Sequence, residues 1–234
     1  MAGILYLVAT PIGNPDDITI RAVRTLKEAD LIVYEERKEG ARLLRQYGIE
    51  GKPVESLNEH NEAAVSGLIL QKLKEGKSVA LVSDAGTPVF ADPGIVLVQK
   101  SIQAGITIVP IPGASSILPA LIVSGFPING FVYYGFLSPK RNRRIAELQQ
   151  LKKDGRMIVL METPYRLVAL MRDIAEVLGE SRKVCVAFDL TLPTEEFYRG
   201  TAPGLYQKFS KEGKKGEFVV VLGPLGGRTE TAGS

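Results

Sequence analysis

Ile4-Leu5-Tyr6-Leu7-Val8-Ala9 runs without a charged residue into Thr10-Pro11-Ile12-Gly13-Asn14-Pro15. An apolar stretch of strand length thus ends in a loop that two prolines stiffen and Gly13 opens to close backbone approach. The same arrangement recurs where Val79-Ala80-Leu81-Val82 leads into Ser83-Asp84-Ala85-Gly86-Thr87-Pro88. It recurs again where Thr107-Ile108-Val109 leads into Pro110-Ile111-Pro112-Gly113-Ala114-Ser115-Ser116. Uninterrupted short apolar runs suit strands buried on both faces, as in a parallel sheet. In an open α/β sheet, ligands bind beyond the carboxyl ends of the strands, where these loops fall. The three loops together point to one small polar ligand held largely by backbone.

Between the loops the period changes from strand to helix. Ile18, Ala22, Val23, Leu26 and Ala29 recur at helical spacing, with Asp17 placed to cap and Thr19 in the first turn. Leu31 to Tyr34 reads as a strand, Ala41 to Tyr47 as a short helix ended by Gly48, and Pro53 to Leu57 as another strand. Glu62 to Lys74 reads as a longer helix with Val65, Leu68, Ile69 and Leu73 inward, and Gly94 to Ala104 as a further one. Strands alternating with helices predict an α/β fold with right-handed crossovers and a mostly parallel sheet. A helix from Ser115 to Ser124 then meets the turn-rich Gly125-Phe126-Pro127-Ile128-Asn129-Gly130.

The second half repeats the alternation in Phe131 to Tyr134, Arg141 to Lys152, Met157 to Met161 and Tyr165 to Leu178. Val184 to Leu190, Phe197 to Arg199 and Glu217 to Leu222 follow as strands, so hairpins replace some crossovers and this sheet is expected to be mixed. The expected organisation is an N-terminal α/β domain over 1–113 and a C-terminal α/β domain over 114–225. The Gly-, Thr- and Ser-rich residues 226–234 are expected to form a disordered tail.

Composition bounds the function. Apolar residues make up 45% of 234, enough for a real core, and no apolar stretch approaches the ~20 residues that span a bilayer. Met1-Ala2-Gly3 has no basic region, so no signal peptide is expected. The one cysteine, Cys185, sits in an apolar run and excludes an internal disulfide, which fits the cytoplasm. One histidine and one cysteine far apart make no zinc constellation, so no metal is expected. The net charge of +3 is too small to identify a nucleic-acid binder. Its distribution is more telling, because Lys140, Arg141, Arg143 and Arg144 cluster either as a solvated helical turn or as a phosphate-contacting patch.

Each loop alone is ambiguous. The first has no G-x-G-x-x-G, so the dinucleotide reading fails. Asp84 could receive an ammonium or a ribose diol, or cap its own turn. Gly113-Ala114-Ser115-Ser116 opens a helix and could hold a carboxylate, or Ser115 could be a plain N-cap.

Taken in order, the motifs resemble the tetrapyrrole-methylase superfamily. They are Val8-Ala9-Thr10-Pro11-Ile12-Gly13-Asn14, Val82-Ser83-Asp84-Ala85-Gly86-Thr87-Pro88, Asp92-Pro93-Gly94, Val109-Pro110-Ile111-Pro112-Gly113, Gly135-Phe136-Leu137 and Gly216-Glu217-Phe218-Val219. The resemblance is to the branch that methylates a cytidine ribose 2′-oxygen of 16S ribosomal RNA, and it extends from Ile4 to Leu222. It implies two α/β domains, S-adenosylmethionine folded into the cleft between them, and a homodimer. By position it places cofactor contacts on Ile12, Asp84, Thr87, Ser115 and Ser116, with Met161 and Leu190 from the second domain.

The chain departs from that pattern where relatives carry Glu-Asp-Thr-Arg-His-Thr and it has Glu35-Glu36-Arg37-Lys38-Glu39-Gly40. It also has Asn58-Glu59-His60-Asn61-Glu62 for His-Glu-His-Asn-Glu, and Glu162-Thr163-Pro164-Tyr165-Arg166 for Glu-Ser-Pro-His-Arg. A ribose hydroxyl is a poor nucleophile until its proton leaves, so a general base is sought among Glu35, Glu59 and His60. Glu59 is also a substrate-binding candidate. Arg37, Lys38, Lys140, Arg141 and Arg143 are the expected RNA contacts, with ribosomal RNA or the small ribosomal subunit as partner. Two rivals remain at this level. One is methylation of a tetrapyrrole such as a corrin precursor, and the other is a non-catalytic, cofactor-binding ribosome-assembly module.

Overall fold

The computed structural model describes residues 2–180 and 182–225. Its chain divides into two compact units between Ser115 and Ser116. The first unit holds β1 (Ile4–Val8), α1 (Ile20–Glu28), β2 (Leu31–Tyr34), α2 (Arg37–Gln46), β3 (Val54–Ser56), α3 (Glu62–Lys74), β4 (Val79–Val82), α4 (Ile95–Gln103) and β5 (Thr107–Ile111). Its sheet has the order β3-β2-β4-β1-β5, and every pairing is parallel. All five carboxyl ends therefore lie along one edge.

Alternation along the strands builds a core on each face. Val8, Ile32, Tyr34, Ala80 and Val82 pack with Ala22 and Leu26 of α1 and Leu44 of α2. Leu5, Leu31, Val33, Val79 and Leu81 pack with Ile69 and Leu73 of α3 and Leu97 of α4. Neighbouring strands β1 and β4 thus send their chains to opposite faces. The gap left between two such strand ends is where open α/β sheets bind ligands.

Three local expectations are corrected. Thr19, not Asp17, caps α1: its hydroxyl accepts the Ala22 N–H at 3.1 Å, and Asp17 belongs to a short 3₁₀ turn over Pro15–Asp17. Helix α2 starts at Arg37 rather than Ala41, and Gly40 lies inside it. A Cβ at Gly40 would sit 2.3 Å from the Tyr34 ring, so the glycine records close helix–strand packing rather than a helix break. Leu68 was expected inward and is 58% exposed, which narrows the buried stripe of α3 to Ser66, Ile69 and Leu73.

The second unit holds α5 (Ile117–Val123), β6 (Phe131–Phe136), α6 (Arg141–Leu151), β7 (Met157–Glu162), α7 (Leu167–Leu178), β8 (Lys183–Phe188), β9 (Glu196–Thr201), α8 (Ala202–Glu212) and β10 (Phe218–Leu222). Its sheet order is β6-β7-β10-β8-β9, with β6 parallel to β7 and the remaining pairs antiparallel, the expected mixed sheet. Helices α6, α7 and α8 cover one face through Leu148, Leu170, Ile174 and Phe209. Helix α5 packs against β8 and β10. Helix α8 was not anticipated, although Thr201 caps it, Pro203 lies in its first turn and the left-handed Gly213 ends it. Cys185 is buried in β8.

Among the described residues no helix is long and apolar enough to cross a membrane. Residues 226–234, expected as a tail, lie outside the described residues.

Candidate active site

The loops after β1, β4 and β5 meet. Thr10 and Gly86 form a two-way backbone bridge, with Thr10 N–H donating to Gly86 O at 2.9 Å and Gly86 N–H donating to Thr10 O at 3.1 Å. The Thr10 hydroxyl donates to Ser83 O at 3.0 Å, and the Thr87 hydroxyl to Ala114 O at 3.4 Å. A Cβ at Gly113 would lie 3.0 Å from Ala9 Cβ and 3.3 Å from Ala9 O, so main chain passes against main chain there. Gly86, at φ +86, has Ile12 Cγ2 3.2 Å from where its Cβ would be. The turns expected to share one ligand are joined at the β1–β4 gap, with Gly13, Ala85, Thr87, Pro112 and Gly113 exposed along it.

The β4 loop is also strained. Val89 holds φ 70, a left-handed conformation rare for a β-branched residue and costing about 1–3 kcal/mol. Such strain gathers at functional sites. Ser83, not Asp84, makes the local turn, its hydroxyl accepting the Ala85 N–H at 3.1 Å. Asp84 instead reaches to the loop after β2, where its Oδ1 accepts the N–H of Glu36, the N-cap of α2, at 3.3 Å.

That contact brings the β2 loop into the site. Burial, then the charges of Asp92, Asp84, Glu36 and Glu59, push the Glu35 carboxyl up to about 7. Burial also raises Asp84 and Asp92 above the ordinary carboxylate range. Glu35 is thereby poised near neutral pH, as a general base should be. Sequence reading did not single out Asp92; its signal was the Asp92-Pro93-Gly94 motif.

The loop after β3 divides its labour. Asn58 N–H donates to Asn61 Oδ1 at 2.8 Å, and the His60 and Asn61 N–H groups donate back to Asn58 Oδ1 at 3.1 and 3.2 Å. Glu62 accepts the Gly94 and Val96 N–H groups at 2.7 and 3.0 Å, capping the start of α4. Asn58, Asn61 and Glu62 are therefore scaffold, and they project Glu59 and His60 outward, 3.5 Å apart, with side chains 81% and 85% exposed. Glu62→Ala should cost roughly 1.5–3 kcal/mol of stability in urea unfolding, because two charge-assisted hydrogen bonds are lost.

The remaining candidate residues lie as follows. Ser116 sits at the N-cap of α5, with no side-chain capping bond, and Ser115 precedes it. Met161, in β7, accepts the Tyr133 hydroxyl on its sulfur at 3.3 Å. Leu190 follows β8, buried, between Asp189 at φ 47 and Thr191 at φ 68, a second strained turn. Arg37 and Lys38 open α2 and are exposed, as are Lys140 and Arg143 at the start of α6. Arg141 is committed in part to Asp173, at 3.1 Å, and to Glu176. Arg144, read with its cluster as either a solvated turn or a phosphate patch, is neither: it is 5% exposed, bound to Asp173 at 2.6 Å and to the Ser138 and Pro139 carbonyls.

A family model described as Tetrapyrrole (Corrin/Porphyrin) Methylases matches residues 4–206, and the chain belongs to this family of methyltransferases. Within it, the chain is 46% identical over 220 residues to Ribosomal RNA small subunit methyltransferase I of Thermotoga maritima, covering 94% of this chain and 98% of that protein. Among solved structures, the methyltransferase CobJ aligns with a TM-score of 0.70 at 19% identity, covering 95% of each chain. Uroporphyrin-III C-methyl transferase from Thermus thermophilus, complexed with S-adenyl homocysteine, aligns with a TM-score of 0.61 at 20% identity, over 94% of this chain and 97% of that one. At these identities the solved structures speak to the fold.

Proposed function

We propose that this methyltransferase uses S-adenosylmethionine to methylate a cytidine ribose 2′-oxygen of 16S ribosomal RNA. One observation carries the reading: the near end-to-end likeness to a small-subunit ribosomal RNA methyltransferase. The joined turns suit the donor, because Gly13, Ala85, Thr87 and Gly113 are exposed along the gap and Asp84 brings a carboxylate from the β4 loop. Ile12, Asp84, Thr87, Ser115 and Ser116 are assigned to hold it, with Met161 and Leu190 assigned on the resemblance. Bound S-adenosylmethionine supplies an electrophilic methyl group on a positively charged sulfur.

The chain's own residues then supply orientation and a proton acceptor. Holding donor and acceptor in line is worth about 7–11 kcal/mol of barrier. Glu35 takes the 2′-hydroxyl proton, so that the ribose 2′-oxygen bonds to the methyl carbon as that carbon's bond to sulfur breaks and the electron pair returns to sulfur. Glu35 takes this role ahead of His60, whose exposed ring leaves it, with Glu59, to substrate contact. The assigned assembly is a homodimer acting in the cytoplasm, which sedimentation velocity checks for oligomeric state.

Incubation with labelled S-adenosylmethionine and small subunits lacking the modification tests the reading. Label is expected in 16S ribosomal RNA, whereas label only on a corrin precursor, or binding without transfer, would overturn it. Arg37, Lys38, Lys140 and Arg143 are assigned to phosphates. Replacing Lys140 and Arg143 together with alanine should lower the slope of log affinity against log salt by about 2. An unchanged slope removes them from the interface.

A further inference from the structure

We infer that Tyr165 is a stacking platform for an unpaired base of the RNA acceptor, a role that rests on the ribosomal RNA reading above. The residue is 83% exposed, so it contributes little to the core. Its position is nonetheless firmly built. Tyr165 lies in the 3₁₀ turn Pro164–Arg166, directly beyond the carboxyl end of β7. Glu162, whose side chain is fully buried, braces the turn from below: its Oε1 accepts the Thr163 N–H at 2.8 Å and its Oε2 pairs with Arg166 at 3.0 Å. Arg166 N–H donates to Thr163 O at 3.0 Å, closing the turn under the ring.

The same arginine ties this turn to the basic segment. Arg166 donates from its guanidinium to Ser138 O at 3.1 Å, and Arg144 donates to the same carbonyl at 2.9 Å. The Lys140 N–H is in turn held by the Ser138 hydroxyl at 3.3 Å. Since β6 and β7 are parallel neighbours, their carboxyl-end loops stand side by side. This edge therefore carries the exposed Tyr165 on the turn after β7, and the exposed Lys140 and Arg143 on the segment after β6. Single-stranded nucleic acid is gripped by this combination, with cations on phosphates and an aromatic ring under a base. A braced tyrosine also loses little conformational freedom on binding, since only two side-chain torsions remain.

The test measures binding of the full-length protein to small subunits lacking the modification, with S-adenosylhomocysteine present. Tyr165→Ala is expected to weaken binding roughly 5- to 150-fold, raise KM more than it lowers kcat, and leave the salt slope unchanged, because no charge is lost. Tyr165→Trp and Tyr165→Phe should retain wild-type affinity, since both keep an aromatic face. Tyr165→Ala should keep the wild-type melting temperature, as expected of an exposed ring. Wild-type affinity in Tyr165→Ala, a changed oligomeric state in sedimentation, or loss of affinity in Tyr165→Phe would each overturn the inference. Failure of the wild-type protein to label 16S ribosomal RNA would overturn the underlying reading instead, so the two failures are distinguishable.

Discussion

Glu35→Gln is expected to slow single-turnover methyl transfer by about 10²–10⁴-fold, the range a positioned general base contributes. The wild-type rate should rise as pH climbs through about 7, where the carboxyl that burial and its acidic neighbours hold protonated gives up its proton. The glutamine variant should lose that rise. Stability should move the opposite way. A carboxyl raised in the folded state contributes stability below its ordinary range, and that contribution is lost as pH rises through about 7. Glu35→Gln should therefore be more resistant to urea than wild type at pH 8 and above. A variant that is slower yet more stable marks a residue kept for chemistry. An unchanged rate, with the pH profile intact, would return Glu35 to a structural role.

Asp173→Ala should be the most destabilising of the substitutions considered, by about 3–5 kcal/mol in equilibrium unfolding. The side chain of Asp173 is fully buried and accepts from Arg144 at 2.8 Å, Arg141 at 3.1 Å and Arg172 at 3.0 Å. Removing it strands the Arg144 guanidinium, itself buried, without its carboxylate. Burial alone would push the Asp173 carboxyl up, but hydrogen bonds from Arg144, Arg172 and Arg141 outweigh it and hold the group below the ordinary range. Its contribution is thus present above the usual carboxylate range and is lost as pH falls through the lowered value. Asp173→Asn should lose the acid end of the wild-type stability profile selectively. The same substitution leaves Arg141 with Glu176 as its carboxylate partner.

The sheet and its loops were legible because they rest on local chemistry. Parallel strands need unbroken apolar runs, and the turns after them need Pro and Gly, so β1 and β4 with their loops could be read directly. β5 is also legible as a strand, but it is a part-exposed edge strand that continues through Pro110 and Ile111, which the sequence reading assigns to the loop. Helix α8 was missed although Thr201, Pro203 and Gly213 carried the stop and start signals. Its buried residues are only Ala202, Leu205 and Phe209, too sparse among polar neighbours to stand out as a helical stripe.

The electrostatic character of the site was not legible. Glu35, Asp84 and Asp92 are far apart in sequence and interact only because β2 pairs with β4. For the same reason the sequence could not show that Asp173 of α7 holds Arg144 buried while Lys140 and Arg143 stay exposed. The value of Tyr165 likewise depended on the Glu162–Arg166 brace beneath it.

Determining the structure of the protein with S-adenosylhomocysteine bound tests most directly whether the turns after β1, β4 and β5 hold the methyl donor. The expected result is a ligand in contact with Asp84, Thr87 and the Gly113–Ala114 backbone. A ligand fully occupied elsewhere, with these turns untouched, would contradict the account.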